Sequence, residues 1–438
     1  MNRRETGALD IAATGGAQDV PKQLESGRGN GNSRGSVHPM EKGLLAKTLD
    51  LIGFLPVSLA LWDGQEIGRS TVAPVARILI RDRGALLRLI ANPDLQFGEM
   101  YSAGRIEVEG SLPEFVQALY RARSSAAPGG LLKALLNWVN RPRPNSPVHS
   151  RENIHHHYNI GNDFYRLWLD EQMLYTCAYF RDPAATLEQA QIDKMDHVCR
   201  KLQLKPGARV VEAGCGWGAL ALHMARRYGV EVKAYNIAGE QLDFARERAR
   251  REGLEGRVEY RDADYREISA ECDFFVSVGM LEHVGVEHYQ ELGAVIDRCL
   301  VADGRGLIHS IGLNRPARLN PWIERKIFPG AQPPSLGEMM RIFEPTGFSV
   351  LDVENLRLHY ARTLEHWLQR YENAVPQVTE MFGDAFIRPW RLYLSGSIAA
   401  FTSGELQLFQ VSFARARNND IPWTRDFLYS QGGGDAKL

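Results

Sequence analysis

Short apolar runs bounded by glycine, proline and polar clusters alternate, over most of this chain, with stretches of helical spacing. Val210-Val211 leads into Glu212 and then Gly214, Gly216 and Gly218, which alternate with other residues. A helical run from Ala219 to Arg227 follows. This predicts a strand, a tight glycine turn and a helix start, because side chains at the glycines would keep the backbone away from a ligand. Val230 to Tyr235 predicts a second strand ended by Asn236, and Val258-Glu259-Tyr260 a third. Phe274 to Val278 is nearly all apolar and reads as a buried parallel strand. Leu307 to Gly312 ends the next strand, with His309 and Ile311 near its end. Leu187 to Lys201 is an amphipathic helix feeding the glycine-turn strand and reads as scaffold. From about Asn153 to Arg417 strands and helices alternate, as a doubly wound α/β domain should.

The pattern ahead of this domain differs. Residues 1–38 are rich in Gly, Asn, Ser and charge without periodicity, which predicts a disordered tail. Residues 39–125 read as a small α+β domain. Ser58 to Leu61 is a strand turning at Asp63-Gly64, Ala76 to Ile80 is a second, and Arg105 to Gly110 alternates as a third. Asp82 to Ala91 carries helical spacing at Leu86, Leu87, Leu89 and Ile90. Residues 126–150 form a linker with a helix whose Leu131, Leu132, Leu135, Leu136 and Val139 share one face, flanked by Lys133, Arg141 and Arg143. That helix suits either a membrane interface or packing between domains. The large domain is expected over residues 151–430, with a flexible tail at 431–438.

Composition narrows the function classes. A length of 438 residues allows two or three domains with a large core. The net charge of −1 at pH 7 implies no nucleic-acid field. Five cysteines, odd in number and without a C-x-x-C, argue against a disulfide framework or zinc site and suit a reducing cytoplasm. The first residues carry no charged-then-apolar signal pattern. Leu51 to Leu61 is too short to span a bilayer and contains Pro56, so any membrane contact is expected to be peripheral.

The glycine turn alone leaves the nucleotide open. Gly214, Gly216 and Ala219 also pass as a dinucleotide fingerprint. An NAD site expects an acid at the end of the second strand, where Asn236 stands; Asn236 can still bond a ribose hydroxyl. Glu212, ahead of the first glycine, suits S-adenosylmethionine (SAM), whose methionine end carries a cationic amine. In Asp262-Ala263-Asp264-Tyr265, Asp264 could accept from an adenine amine and Tyr265 could stack on the ring; solvated turn acids are the equal alternative. Glu282 sits just past the apolar fourth strand, where open α/β sheets bind ligands and an unpaired carboxylate is costly. Glu282 and His309 on adjacent strands would face one crevice. Cys177, set among aromatics in Tyr175-Thr176-Cys177, reads as a buried, inert thiol. His155, His156 and His157 are adjacent, so their side chains diverge; a polar loop over a pocket fits better than a metal site.

Taken in order, these stretches resemble the cyclopropane-fatty-acid synthase family of SAM-dependent methyltransferases, to which the mycolic acid cyclopropane synthases are related. The resemblance runs through His157-Tyr158-Asn159, Gly161 to Tyr165, Tyr175-Thr176-Cys177, Gly214 to Gly218, Gly279 to Gly285 and Ile308 to Gly312. It continues through Ile327-Phe328-Pro329-Gly330, Tyr360 to Leu364 and Trp390 to Leu394. It implies a Rossmann-like class I methyltransferase domain behind a small α+β lipid-binding domain, which Gly98 to Tyr101 and Glu107 to Gly110 resemble. It also implies the chemistry. A cis alkene in an acyl chain of a membrane phospholipid attacks the sulfonium methyl, and the resulting carbocation loses a proton from the new methyl and closes a cyclopropane ring. Bicarbonate is that family's base, and the matching positions are Tyr158, Cys177, Glu282, His309, Ile311 and Tyr360. Tyr175, Gly214, Gly216, Gly218, Gln241 and Tyr265 would line the SAM pocket. A homodimer at the inner face of the membrane is implied by the same resemblance, as is a methyl- or methylene-branched acid as the alternative product. A non-catalytic lipid-binding module is the remaining alternative. The chain departs from the family at Asn159, at Thr176 and in the loop Asn236-Ile237-Ala238-Gly239.

Overall fold

The computed structural model describes residues 57–67, 74–125 and 160–429, together with Gly43. The expected N-terminal tail, the Leu131–Val139 helix, the three histidines, Tyr158 and the C-terminal tail lie outside the described residues. The chain divides into two compact units. One runs to Arg141 and adds Asn320–Trp322 and Val375–Ala399; the other comprises Pro142–Leu319, Ile323–Ala374 and Ala400–Leu438.

The first unit is built on four strands, β1 (Val57–Leu61), β2 (Glu66–Ile67), β3 (Ala76–Ile80) and β4 (Ile106–Gly110), in the order β2-β1-β3-β4. β1 and β3 run parallel, while β4 returns antiparallel to β3. The helix Arg83–Ala91 starts where it does because Asp82 accepts from the Ala85 N–H at 2.9 Å. The same carboxylate takes Arg105 Nε at 2.9 Å, which ties the helix start to the lead-in of β4. Segments distant in sequence complete this unit. Arg388 donates to the carbonyls of Tyr101 and Ile106 at 2.6 and 2.8 Å and lies over the Tyr101 ring. A Cβ on Gly98 would lie 2.3 Å from the Trp322 ring, so only glycine fits that contact.

The second unit holds a seven-stranded sheet, formed by β5 (Arg209–Ala213), β6 (Glu231–Asn236), β7 (Val258–Asp262), β8 (Cys272–Val278), β9 (Leu300–Gly312), β10 (Phe348–Asn355) and β11 (Gln407–Arg415). The order is β10-β11-β9-β8-β5-β6-β7. β9, β8, β5, β6 and β7 are parallel, and β11 is antiparallel to both β9 and β10. Both faces are covered, so successive residues of a strand enter different cores. Val210 packs with Leu220, Leu242 and Val276, whereas Val211 packs with Phe275, Leu292 and Ile308. From β5 the chain passes to β6 on one side and later to β8 on the other. Strand order therefore reverses at β5, and a crevice opens beyond the carboxyl ends of β5 and β8. This is the Rossmann-like α/β architecture expected from the pattern.

Candidate active site

Gly214, Gly216 and Gly218 have φ of +85°, +52° and +80°, a region L side chains avoid. Their surroundings differ. A Cβ on Gly218 would lie 2.4 Å from Tyr260 Oη, and one on Gly214 would lie 2.9 Å from Met280 Cβ. A Cβ on Gly216 would meet nothing within 4 Å, so that side of this glycine faces open space. The loop is held from behind, where the Gly214 and Cys215 N–H groups donate to the Tyr235 carbonyl at 2.9 and 3.1 Å. The helix Ala219–Tyr228 begins without a side-chain cap from Gly218. Beside it a cavity is lined by Gly214, Tyr235, Asn236, Tyr265, Met280 and His283.

Of the polar residues named for the cofactor, Asn236 and Asp264 are engaged with the protein itself, whereas Glu212 is buried. Glu212 is 2 % exposed and lies beneath the turn, and its Oε2 is buried without a protein partner. Burial pushes it up to about 8, against the pull of Lys194. Asn236 Nδ2 donates to Gln241 Oε1 at 2.8 Å and its Oδ1 accepts from the Ile237 N–H at 2.9 Å, so it pins the loop after β6 and binds Gln241 to it. Asp264 caps the turn Tyr265–Glu267, where one carboxylate oxygen accepts from both the Arg266 N–H and the Arg266 guanidinium at 3.0 Å. Short polar side chains at loop starts bond their own backbone first, and so these groups shape the loops. Tyr265 is buried under the Arg266 guanidinium, and its hydroxyl has no protein partner. Tyr175 stands in an aromatic wall with Tyr165, Trp168 and Trp367, at centroid distances of 5.2 to 5.4 Å.

Past β8 the chain makes a tight turn at Gly279, whose N–H donates to the His309 carbonyl at 2.9 Å. The next turn, Leu281–His283, carries Glu282 into the sheet end. Val278 and His309 are register partners on β8 and β9, which brings the backbone of the two strand ends together. Glu282 Oε1 accepts from the Ile311 N–H at 2.5 Å. Its Oε2 is buried without a protein partner. Burial pushes this carboxyl up to about 7, even though N–H groups pull it down. His309 is 1 % exposed, and burial holds it neutral, well below the ordinary imidazole range. Its Nδ1 receives Gln410 Nε2 at 3.0 Å, and its Nε2 is buried without a protein partner. Each of these buried, unpaired polar atoms is a group able to hold something polar.

Cys177 is fully buried, and burial pushes its thiol far above the usual range, which makes it inert as a nucleophile. Its Sγ–H points to the Ala178 carbonyl at 3.1 Å. The Ala178 N–H donates to Thr363 Oγ1 on the helix Arg357–Asn373, which also carries Tyr360. The Tyr360 ring lies 4.6 Å from Phe401 and 6.0 Å from Trp367. The fold thus joins Glu282 and Ile311 directly, places His309 on the same strand as Ile311, and links Cys177 to the helix of Tyr360.

Lys194 and Gln410 were not among the expected site residues. Lys194 belongs to the helix Leu187–Leu202, read as scaffold, yet it is 1 % exposed and donates to Thr176 Oγ1 at 2.7 Å. A Cβ on Gly279 would press on the Cγ2 of that threonine at 2.9 Å, so Lys194 braces the strand end that presents Glu282. Burial lowers its ammonium to about 8. Among the described residues no group of three or more His, Cys, Asp and Glu could hold a metal ion.

The sequence profile described as mycolic acid cyclopropane synthetase matches residues 145–411, and that of a domain of unknown function matches residues 44–129. A probable fatty acid methyltransferase of Pseudomonas putida is 36 % identical over 391 residues, 86 % of this chain and 96 % of that protein. The cyclopropane-fatty-acyl-phospholipid synthase of Escherichia coli (strain K12) is 40 % identical over 266 residues, 60 % of this chain and 68 % of that protein. Among solved structures, the mycolic acid cyclopropane synthase CmaA1 complexed with SAH and CTAB is 28 % identical with a TM-score of 0.58, covering 62 % of this chain and 99 % of that one. The glycine turn, the strand order and these matches agree: the chain belongs to the mycolic acid cyclopropane synthetase family and is a SAM-dependent methyltransferase.

Proposed function

We propose that this enzyme transfers a methylene from SAM to the cis double bond of unsaturated acyl chains in membrane phospholipids and forms cyclopropane fatty acids, with bicarbonate as the base. The observation that carries the reading is the pair of buried atoms without protein partners, Glu282 Oε2 and His309 Nε2. Bicarbonate needs hydrogen-bond donors for its charged oxygens and an acceptor for its hydroxyl. A neutral His309 with its proton on Nε2 supplies a donor, and Glu282 Oε2 supplies an acceptor, so the residues fit the ion. When bound, SAM supplies the electrophilic methyl, and bicarbonate a weak base where water is scarce.

The chain's own groups would do the rest. The glycine turn, Tyr175, Gln241 and Tyr265 would hold the cofactor, with Gly216 allowing close approach. Glu282, anchored by the Ile311 N–H, would fix the orientation of the anion, with Tyr360 and Cys177 around it. The aromatic wall of Tyr175, Trp367 and Tyr360 would keep water from a cationic intermediate. The phospholipid and the cyclopropane ring come from the name of the Escherichia coli relative. No described helix is long and apolar enough to cross a membrane. By the resemblance, the reading also includes peripheral contact with the bilayer and a homodimer. A second product has support, because the Pseudomonas putida relative, matched over nearly its whole length, is named as a fatty acid methyltransferase. Deprotonation at a chain carbon would then leave a branched acid.

The test is the rate of acyl modification in vesicles of a cis-monounsaturated phospholipid, in carbon-dioxide-free buffer with bicarbonate added back. A rate that saturates with bicarbonate supports the reading. A full rate in its absence removes bicarbonate as the base.

A further inference from the structure

The strand register places Gln410 of β11 directly opposite His309 of β9. Gln410 is 0 % exposed and His309 1 % exposed, so no solvent competes for either side chain. The contact between Gln410 Nε2 and His309 Nδ1 is 3.0 Å. An amide nitrogen can only donate, so Nδ1 must accept, and a neutral ring then carries its proton on Nε2. That is the atom left without a protein partner. With Nδ1 protonated instead, Nε2 would turn a bare lone pair toward the same place and repel an anion.

We infer that Gln410 is a positioning residue that locks His309 in the Nε2–H tautomer and so presets a fixed donor at its buried Nε2. Its value to the reaction rests on the proposed anion reading; the tautomer itself does not. The assignment also agrees with the neutrality of the ring, which burial and the ammonium groups of Lys194 and Lys201 favour. Gln410 lies 101 residues from His309 along the chain, and only the antiparallel return of β11 brings them together.

The full-length enzyme labelled with ¹⁵N-histidine gives a direct readout. Long-range proton–nitrogen correlations distinguish the protonated ring nitrogen from the bare one, and the His309 signals are those missing from His309→Gln. The native enzyme is expected to show Nε2 protonated and Nδ1 bare. Protonation at Nδ1 in the native enzyme overturns the inference, whether or not any variant folds. Gln410→Glu would place an acceptor against Nδ1. It is expected to move the proton to Nδ1, and to raise the bicarbonate concentration for half-maximal rate about tenfold while the KM for SAM stays within about twofold. Gln410→Glu with the native tautomer overturns the inference. A native rate indifferent to bicarbonate overturns the anion reading alone and leaves the tautomer result intact.

Discussion

Glu282→Gln separates what this site does for the reaction from what it costs the fold. The carboxyl is buried with one oxygen on the Ile311 N–H and the other without a protein partner, and it is raised from 4.5 to about 7. At about 1.4 kcal/mol for each pH unit, this corresponds to about 3 kcal/mol. The sign follows from the direction. A carboxyl whose folded value is raised binds its proton more tightly in the folded chain. Its contribution to stability is therefore fully present below the unfolded value and is lost as pH rises through the folded value. Between pH 4.5 and about 7 the native chain should lose about 3 kcal/mol through this one group, whereas the amide that replaces it in the variant does not titrate. The amide keeps an acceptor for the Ile311 N–H. Urea unfolding of both proteins, at about pH 4.5 and about pH 8, should show the variant gaining on the native chain by about 3 kcal/mol across the interval. Glu212 titrates in both chains and drops out of the difference. Activity should fall at least about a hundredfold, because an amide NH₂ offers no acceptor at the position of Oε2. A stability difference that stays flat across that pH interval would refute the buried, unpaired carboxylate. Full activity in the variant would refute its role at the site.

Two positions of the glycine turn, Gly218 and Gly216, should respond differently to alanine. Gly218→Ala puts a Cβ 2.4 Å from Tyr260 Oη at a φ of +80° and should lower stability by at least about 2 kcal/mol, read as the thermal midpoint. Gly216→Ala meets open space and should cost only about 1 kcal/mol of backbone strain, with the larger effect on the KM for SAM. Glu354 contacts His197 Nε2 at 2.7 Å and pairs with the Lys201 ammonium at 2.7 Å; although burial opposes it, these partners bring its carboxyl down to about 2. Its stabilisation is present above pH 4.5 and is lost as pH falls through about 2, so Glu354→Gln should lower stability by about 3 kcal/mol at neutral pH and by much less in acid, measured by chemical unfolding. All five cysteines are buried, so native protein should react with Ellman's reagent only after denaturation. Rapid reaction of even one thiol in the native chain would contradict that burial.

The sequence made the sheet legible because buried parallel strands leave short apolar runs, and the turn after β5 needs glycine at fixed positions. Glu282 and His309 could be singled out in advance because each sits at the end of such a run. Lys194 was hidden, since an amphipathic pattern shows which face of a helix is apolar but not which cation has turned inward. Gln410 was hidden by distance along the chain; strand β11 looks like any other apolar strand until its register with β9 is known. Asn236 and Asp264 stand where a cofactor would be sought, and their side chains bond the local backbone and neighbouring side chains instead. Arg388 and Trp322 show the same limit at the level of the whole chain. Each reaches the small four-stranded unit from far along the sequence, through contacts to Tyr101 and Gly98 that no local pattern records.

The central claim is that the new carbon arrives as a methyl and remains as a ring methylene. Purified enzyme with methyl-deuterated SAM and vesicles of a cis-monounsaturated phospholipid tests it, with mass spectrometry and proton NMR of the acyl chains. The account predicts a product that has lost one deuterium of the transferred methyl and shows upfield ring protons. Retention of all the methyl deuterium, in a product without a ring, would contradict it.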